Sequence, residues 1–222
     1  MKVVGLIPAR AGSKRLAHKN LALLDGKPLI AYTCEAALCS GVLSAVYVNT
    51  DSPAIATVAE RFSVHCPALR PESLARDDTP TQQSNRFLLD LLAARGEEFE
   101  AVMVLQPTSP LRTAEDIREA WELFETNQPC AVVSASPVAP ASWLGRVGKD
   151  GRLEPLPGED VLYELNGAIY VYTSGDYRAG RSPARTLVYP MSRSRGVDID
   201  TLEDLKYAEF LLRQTESAAC SV

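Results

Sequence analysis

The chain of 222 residues has no CxxC pair, only two histidines (His18 and His65), and no surplus of positive charge. Nor does any apolar run approach the ~20 residues needed to cross a bilayer. Each absence removes a class of function. The five cysteines, Cys34, Cys39, Cys66, Cys130 and Cys220, are odd in number and irregular in spacing. That argues against a disulfide framework or zinc site and for the reduced thiols of a cytoplasmic protein. Cys34, Cys66 and Cys130 read as small buried hydrophobes. Two histidines exclude a histidine-rich metal centre. A net charge of −5 argues against a general nucleic-acid binder. The GxxxxGK[ST] loop is absent, so a Walker-type phosphate site is excluded. A strand-like run begins almost at once, so no signal peptide is expected. No internal repeat or low-complexity segment occurs.

Against this acidic background one local contrast stands out. Before the first acid, Asp25, the chain places Lys2, Arg10, Lys14, Arg15 and Lys19 without a counter-charge. Val3 to Ile7 is an apolar run short enough for a buried strand. Pro8 should end it, because proline cannot donate to a sheet ladder. A loop with Gly12 and Ser13 follows. Cations grouped after the carboxyl end of a strand, on a loop whose glycine lets backbone N–H groups come close, suit a polyphosphate. On composition alone the same stretch also reads as a solvated basic loop.

Apolar, β-rich runs then alternate with helical patterns for two-thirds of the chain. Asp25-Gly26 is a turn signal, and Pro28 suits the first position of a helix to about Cys39. Ala45 to Asn49 reads as a strand. Pro53 opens a helix with Ile55, Val58, Ala59 and Phe62 inward, and Val64 to Cys66 is a short strand. Thr81 to Ala94 is helical, Ala101 to Leu105 a buried strand. Thr113, with Asp116 three residues on, caps a helix to about Thr126. Ala131 to Ala135, Ala168 to Tyr172 and Leu187 to Tyr189 are strands, and Thr201 caps a last helix to about Leu212. The alternation predicts an α/β protein with a mostly parallel sheet and helices on both faces. Ligands of such sheets sit at the carboxyl ends of strands. From Pro137 to Glu164 the period fails among prolines and glycines, which predicts an insertion with one hairpin turning at Lys149-Asp150-Gly151.

Five blocks carry a resemblance. They are Ile7-Pro8-Ala9-Arg10-Ala11-Gly12-Ser13-Lys14-Arg15-Leu16-Ala17-His18-Lys19-Asn20, Arg70 to Thr81, Leu105-Gln106-Pro107-Thr108-Ser109-Pro110-Leu111-Arg112, Asn166-Gly167-Ala168-Ile169-Tyr170, and Val197-Asp198-Ile199-Asp200-Thr201. In this order and over nearly the whole chain they resemble the N-acylneuraminate cytidylyltransferases, or CMP-sialic acid (CMP-nonulosonate) synthetases. The resemblance implies a three-layer, Rossmann-like nucleotidyltransferase fold of the nucleotide-diphospho-sugar transferase type. One domain would span residues 1–213, with 137–164 a dimerisation and sugar-site insertion and 214–222 a frayed tail. It further implies a homodimer that joins CTP to a nonulosonic acid and releases pyrophosphate.

The resemblance also assigns roles. Arg10, Lys14, Lys19 and Asn20 would bind the nucleotide, with Arg10 and Lys19 also catalytic. Arg70, Thr79 through its backbone and Thr81 through its hydroxyl would surround the cytosine, whose amine and acceptor edge such groups can specify. Gln106, both donor and acceptor, and Asn166 would face the sugar acid. Asp198 and Asp200 lie on one side of an extended segment, and two carboxylates so close repel unless a cation joins them. Mg²⁺, which prefers oxygen ligands, fits that pair, with Asp200 also catalytic. Helix capping by Asp200 or Thr201 is the other reading of the same residues.

Two departures qualify the match. Where the family often has an arginine two residues before Asn166, this chain has Glu164. A different cation would then meet the sugar carboxylate, with Arg146, Arg152 and Arg178 as candidates. The insertion is also short and lacks the family's R-Q-x-L-P stretch. The alternatives are a 3-deoxy-manno-octulosonate cytidylyltransferase, against which Asn20 argues, and a non-catalytic nucleotide-binding protein of the same fold.

Overall fold

Strand β1 (Val3–Pro8) shows how the core is divided. Its alternate side chains leave on opposite faces. Val3 and Ile7 enter one apolar cluster, Val4 and Leu6 another, and all four are fully buried. A strand covered on both faces must be apolar throughout, which is why this run shows no polar alternation. The computed structural model describes residues 1–181 and 183–219.

In chain order, β1 is followed by a short ribbon, β2 (Leu23–Leu24) and β3 (Lys27–Pro28), then α1 (Leu29–Cys39), β4 (Ala45–Asn49), α2 (Pro53–Arg61), α3 (Thr81–Ala94) and β5 (Ala101–Val104). Next come α4 (Ala114–Thr126), β6 (Ala131–Pro140), β7 (Gly145–Val147), β8 (Leu153–Pro155), β9 (Val161–Thr173), α5 (Ser174–Ala179), β10 (Thr186–Pro190) and α6 (Leu202–Ala219). Six strands form the central sheet in the order β10-β6-β9-β5-β1-β4. Strand β9 runs antiparallel to both neighbours, and the other pairs are parallel. Residues from α1, α2 and α4 pack on one face with Val3, Ile7 and Met103. Leu88, Leu89 and Leu92 of α3 and Tyr177 of α5 pack on the other with Val4, Leu6 and Val102. The three-layer, mostly parallel α/β fold expected from the sequence is the fold observed.

Local signals placed several boundaries. Ser52 caps α2 by accepting from the Ile55 N–H at 3.3 Å, with Pro53 in the first turn. Thr113 and Asp116 form a reciprocal capping box on α4. Other expectations shift. Pro28 caps α1 from outside rather than starting it, because its ψ of 138° is extended. Val64 to Cys66 makes only a single bridge, His65 beside Tyr47.

The stretch 137–164 is less separate than expected. Its ends prolong β6 and β9, with Pro137 opposite Tyr163 and Pro140 opposite Val161. The pairing is irregular there, since proline cannot donate to a ladder. Between the long strands the β7–β8 hairpin turns at 148–152, where Gly151 takes φ +80°. Helix α6 continues to Ala219, past the expected end at Leu212, through a run rich in helix-favouring residues. Of the tail expected to fray, residues 220–222 lie outside the described residues.

Candidate active site

The carboxyl ends of β1 and β5 open, with the amino end of α3, onto a cleft of about 410 Å³. Arg10, Lys14, Lys19 and Asn20 line it from the first loop, and Arg70, Thr79 and Thr81 from the segment before α3. Gln106 and Asp200 line it as well. Asp198 and Asn166 stand outside this lining.

The first loop is held by its own polar groups. Asn20, 6% exposed, donates from Nδ2 to the Arg10 carbonyl at 2.9 Å. Asp51 accepts from the Ala11 N–H at 2.9 Å. The loop's cations therefore project from a fixed backbone. They meet two carboxylates. Asp77 takes Arg10 at 2.5 Å and Lys14 at 2.8 Å. Asp200 takes Arg15 at 2.5 Å and Lys19 at 2.8 Å. Hydrogen bonds from Lys14 and Arg10 hold the Asp77 carboxyl below its ordinary range. Lys19, with Arg15 behind it, does the same for Asp200. Arg15 stands among the cations noted in the sequence and Asp77 within the Arg70 to Thr81 block, but the sequence did not show that Asp77, Asp51 and Arg15 pair with this loop's groups and with Asp200. Their role depends on which loops meet, and no local pattern encodes that.

Asp198 behaves oppositely. Its residue opens to solvent, yet the protein crowding its carboxylate removes water and pushes the pKa up, and Asp200 adds to this. Thr108 and Lys19 partly restore the charged form. The segment is docked by the Ile199 N–H, which donates to the Thr108 carbonyl at 2.8 Å. Thr201 and Asp204 cap α6: Asp204 accepts from the N–H groups of Asp200 and Thr201, and Thr201 accepts from that of Asp204. Helix capping thus falls to Thr201 and Asp204, and the Asp200 side chain faces the cleft. Among the described residues no group of three or more His, Cys, Asp or Glu side chains could hold a metal alone. A pair of carboxylates, one of them pushed toward its neutral form by desolvation and then by its neighbour's charge, nevertheless fits a divalent cation that takes its remaining ligands from phosphate and water.

Beneath the cleft the polar groups are dry. Arg112, 2% exposed, donates to the carbonyls of Gln106 at 3.2 Å and Ala168 at 2.7 Å, and to Thr33 Oγ1 at 2.7 Å. Burial draws its pKa down to about 10. It braces Gln106 from below and does not reach the cleft. Gly167 completes that brace. It sits at φ +75°, and a Cβ there would lie 3.2 Å from Gln106 Oε1. Asn166 is engaged inside the sheet: its Oδ1 accepts from Ser134 Oγ at 2.6 Å, and its Nδ2 donates to Ser136 Oγ at 3.0 Å. Arg70, 7% exposed, reaches the cleft from a buried base on Asn49. Burial lowers its pKa.

The substitutes considered for the missing arginine are distributed differently. Arg178 pairs with Asp90 and donates to the Leu89 carbonyl at 2.8 Å, on the α3–α5 side. Arg146 lies on β7, and Arg152 pairs with Asp150 at 3.4 Å in the hairpin. Glu164 is exposed on β9 opposite Ser136 and does not line the cleft.

Residues 4–142 match the family model described as Cytidylyltransferase. The chain is 38% identical to a CMP-N,N'-diacetyllegionaminic acid synthase of Legionella pneumophila, over 98% of this chain and 99% of that protein. It is 32% identical to an N-acylneuraminate cytidylyltransferase of Escherichia coli O18:K1:H7, over 93% of this chain and 51% of that longer protein. Among solved structures, a CMP:2-keto-3-deoxy-manno-octonic acid synthetase complexed with CTP superposes with a TM-score of 0.75 at 19% identity. That match covers 97% of this chain and 100% of the other, and at such identity it speaks to the fold.

Proposed function

Since the chain belongs to the cytidylyltransferase family, we propose that it is a CMP-nonulosonate synthetase, converting CTP and a nine-carbon 2-keto-3-deoxy sugar acid to CMP-sugar acid and pyrophosphate. The observation that carries this reading is the cleft itself. One fixed loop presents Arg10, Lys14 and Lys19, with Arg70 and Gln106 lining the same cavity. A triphosphate has a place between the cations, a base beside Arg70, Thr79 and Thr81, and a polyhydroxylated acid beside Gln106. Asn20 fixes the loop backbone. Asn166 supports the sugar side from within the sheet.

In this reading the anomeric hydroxyl attacks the α-phosphorus in line. Arg10, Lys14 and Lys19 neutralise charge on the departing pyrophosphate, which is positioning and electrostatic work rather than covalent catalysis. Asp198 and Asp200 would hold Mg²⁺, which when bound would supply charge neutralisation at the phosphates. Asp200 also keeps Lys19 and Arg15 aimed at the phosphate site in the free enzyme. Glu164, exposed and away from the cleft, leaves the sugar carboxylate to another cation.

The proposed form is a cytoplasmic homodimer. Trp143, Val147, Leu153, Val161, Tyr163 and Leu165 on the arm of β7–β9 are 47–80% exposed. Val147 lies opposite Leu153 in the hairpin, and Val161, Tyr163 and Leu165 alternate along one face of β9; exposed apolar groups of this size favour a second copy as their cover. Light scattering tests this: Leu153→Glu should give monomers, and a wild-type chain that is monomeric at micromolar concentration contradicts it.

The functional test is pyrophosphate release from CTP across N-acetylneuraminic, diacetyllegionaminic and pseudaminic acids, with 3-deoxy-manno-octulosonate as control. Release with a nonulosonic acid and Mg²⁺, absent with excess EDTA, is expected. Release with the eight-carbon acid alone would move the enzyme to the rival class. None with any acid would leave a nucleotide-binding protein.

A further inference from the structure

Behind the cleft Arg70 heads a line of buried polar groups, and no role above uses the side chains that follow it. Arg70 Nε donates to Asn49 Oδ1 at 3.3 Å, and its Nη2 donates to the Asn49 carbonyl. Asn49 Nδ2 donates to Asn85 Oδ1 at 2.8 Å, and Asn85 Nδ2 donates to the Tyr177 hydroxyl at 2.9 Å. None of the four residues is more than 7% exposed. The line ties the loop before α3 to the end of β4, the inner face of α3 and helix α5.

Its polarity is imposed from one end. A guanidinium can only donate. Asn49 must therefore turn its oxygen to Arg70 and its amide nitrogen away. Asn85 must then present oxygen to Asn49, which leaves its own nitrogen for Tyr177. Reversing either amide sets two donors face to face. Only the tyrosine hydroxyl, which can donate or accept, is indifferent to direction. Asn85 also sits beside Leu88, Leu89 and Leu92 on the buried face of α3, where an apolar side chain would follow the helix's own pattern.

We propose that Asn85, acting through Asn49, is a positioning residue that fixes the plane of Arg70 and thereby sets affinity and selectivity for the nucleobase. This rests on Arg70 contacting the base of CTP, so binding is measured first on the wild type. Asn85→Leu removes the acceptor that orients Asn49. Asn85→Asp keeps it, with Tyr177 turning to donate. Tyr177→Phe cuts the line only beyond Asn85.

The measurements are CTP and UTP dissociation constants by calorimetry, KM and kcat by pyrophosphate release, and Tm. For Asn85→Leu, weakening of CTP binding by about tenfold is expected, with a comparable loss of preference over UTP and kcat within about twofold. Asn85→Asp should retain CTP affinity within about twofold, and Tyr177→Phe should lower Tm while retaining that affinity. Folded Asn85→Leu with wild-type CTP affinity and preference overturns the proposal. So does Asn85→Asp or Tyr177→Phe weakening CTP as much as Asn85→Leu, because general packing would then explain the loss. If Asn85→Leu does not fold, Asn85→Ser, too short to reach Asn49, carries the same comparison. A wild-type chain that binds no CTP overturns the functional reading itself, which is a different failure from wild type and Asn85→Leu binding CTP equally.

Discussion

The rim and the floor of the cleft are built from the same residue types and do opposite things. On the rim, Lys14 and Arg15 are mostly exposed and share their carboxylates with Arg10 and Lys19. On the floor, Arg112 and Arg70 are buried and bonded to protein oxygens. An exposed ion pair is worth little and is easily exchanged for a phosphate. A buried guanidinium whose acceptors would be orphaned by its loss is fixed. The difference separates binding from support: rim changes should alter turnover and leave the fold, a change at Arg112 should alter the fold first, and Arg70, buried at its base yet lining the cleft, joins the two.

The largest expected effect is on the rim. Asp200→Ala should reduce turnover by roughly a thousandfold or more, the scale of a lost metal clamp, with circular dichroism unchanged. Near-normal turnover would remove Asp200 from the chemistry. On the floor, Arg112→Leu leaves the Gln106 and Ala168 carbonyls and the Thr33 hydroxyl short of a donor. It should cost about 2–4 kcal/mol of stability in a urea titration. A loss below about 1 kcal/mol would mean that the brace is not needed.

Asp77→Asn should act in the other direction. Arg10 and Lys14 lose their internal anion, and pyrophosphate should bind about two- to fivefold tighter. Weaker binding would show that Asp77 aims these cations rather than occupying them.

The smallest effect distinguishes the two aspartates of one segment by pH. The folded pKa of Asp198 is raised, so its stabilising contribution is present below its unfolded value and lost as pH rises through the folded value. The folded pKa of Asp200 is lowered, so its contribution is present above the unfolded value and lost as pH falls through the folded one. Without metal at neutral pH, Asp198→Asn should therefore raise Tm slightly and Asp200→Asn should lower it. Both differences should shrink as the buffer is taken below the ordinary carboxylate range. The same sign for both variants would break the contrast.

How much of this was legible follows from how local each signal is. Pro53 after Ser52, and Thr113 with Asp116, mark helix starts within four residues, and the structure places them there. The blocks around Arg10, Gln106 and Asp200 were singled out by the resemblance to the cytidylyltransferases, and each lies at a strand end or a helix cap that lines the cleft. What stayed hidden needs distant partners. Helix α5 is one short turn-and-a-half whose Tyr177 hydroxyl gains its role only beside Asn85. Asn85 looks like an ordinary polar residue on a helix until Asn49 is beside it. The length of β6 and β9 was masked by Pro137 and Pro140, which interrupt the pattern without ending the strands.

Phosphorus NMR of the complete reaction tests the account most directly. With CTP, Mg²⁺ and a nonulosonic acid, the triphosphate signals should give way to one phosphodiester resonance of a CMP-sugar and to pyrophosphate in equal molar amount. CTP that persists with every nonulosonic acid, or that yields free CMP without a sugar ester, would contradict it.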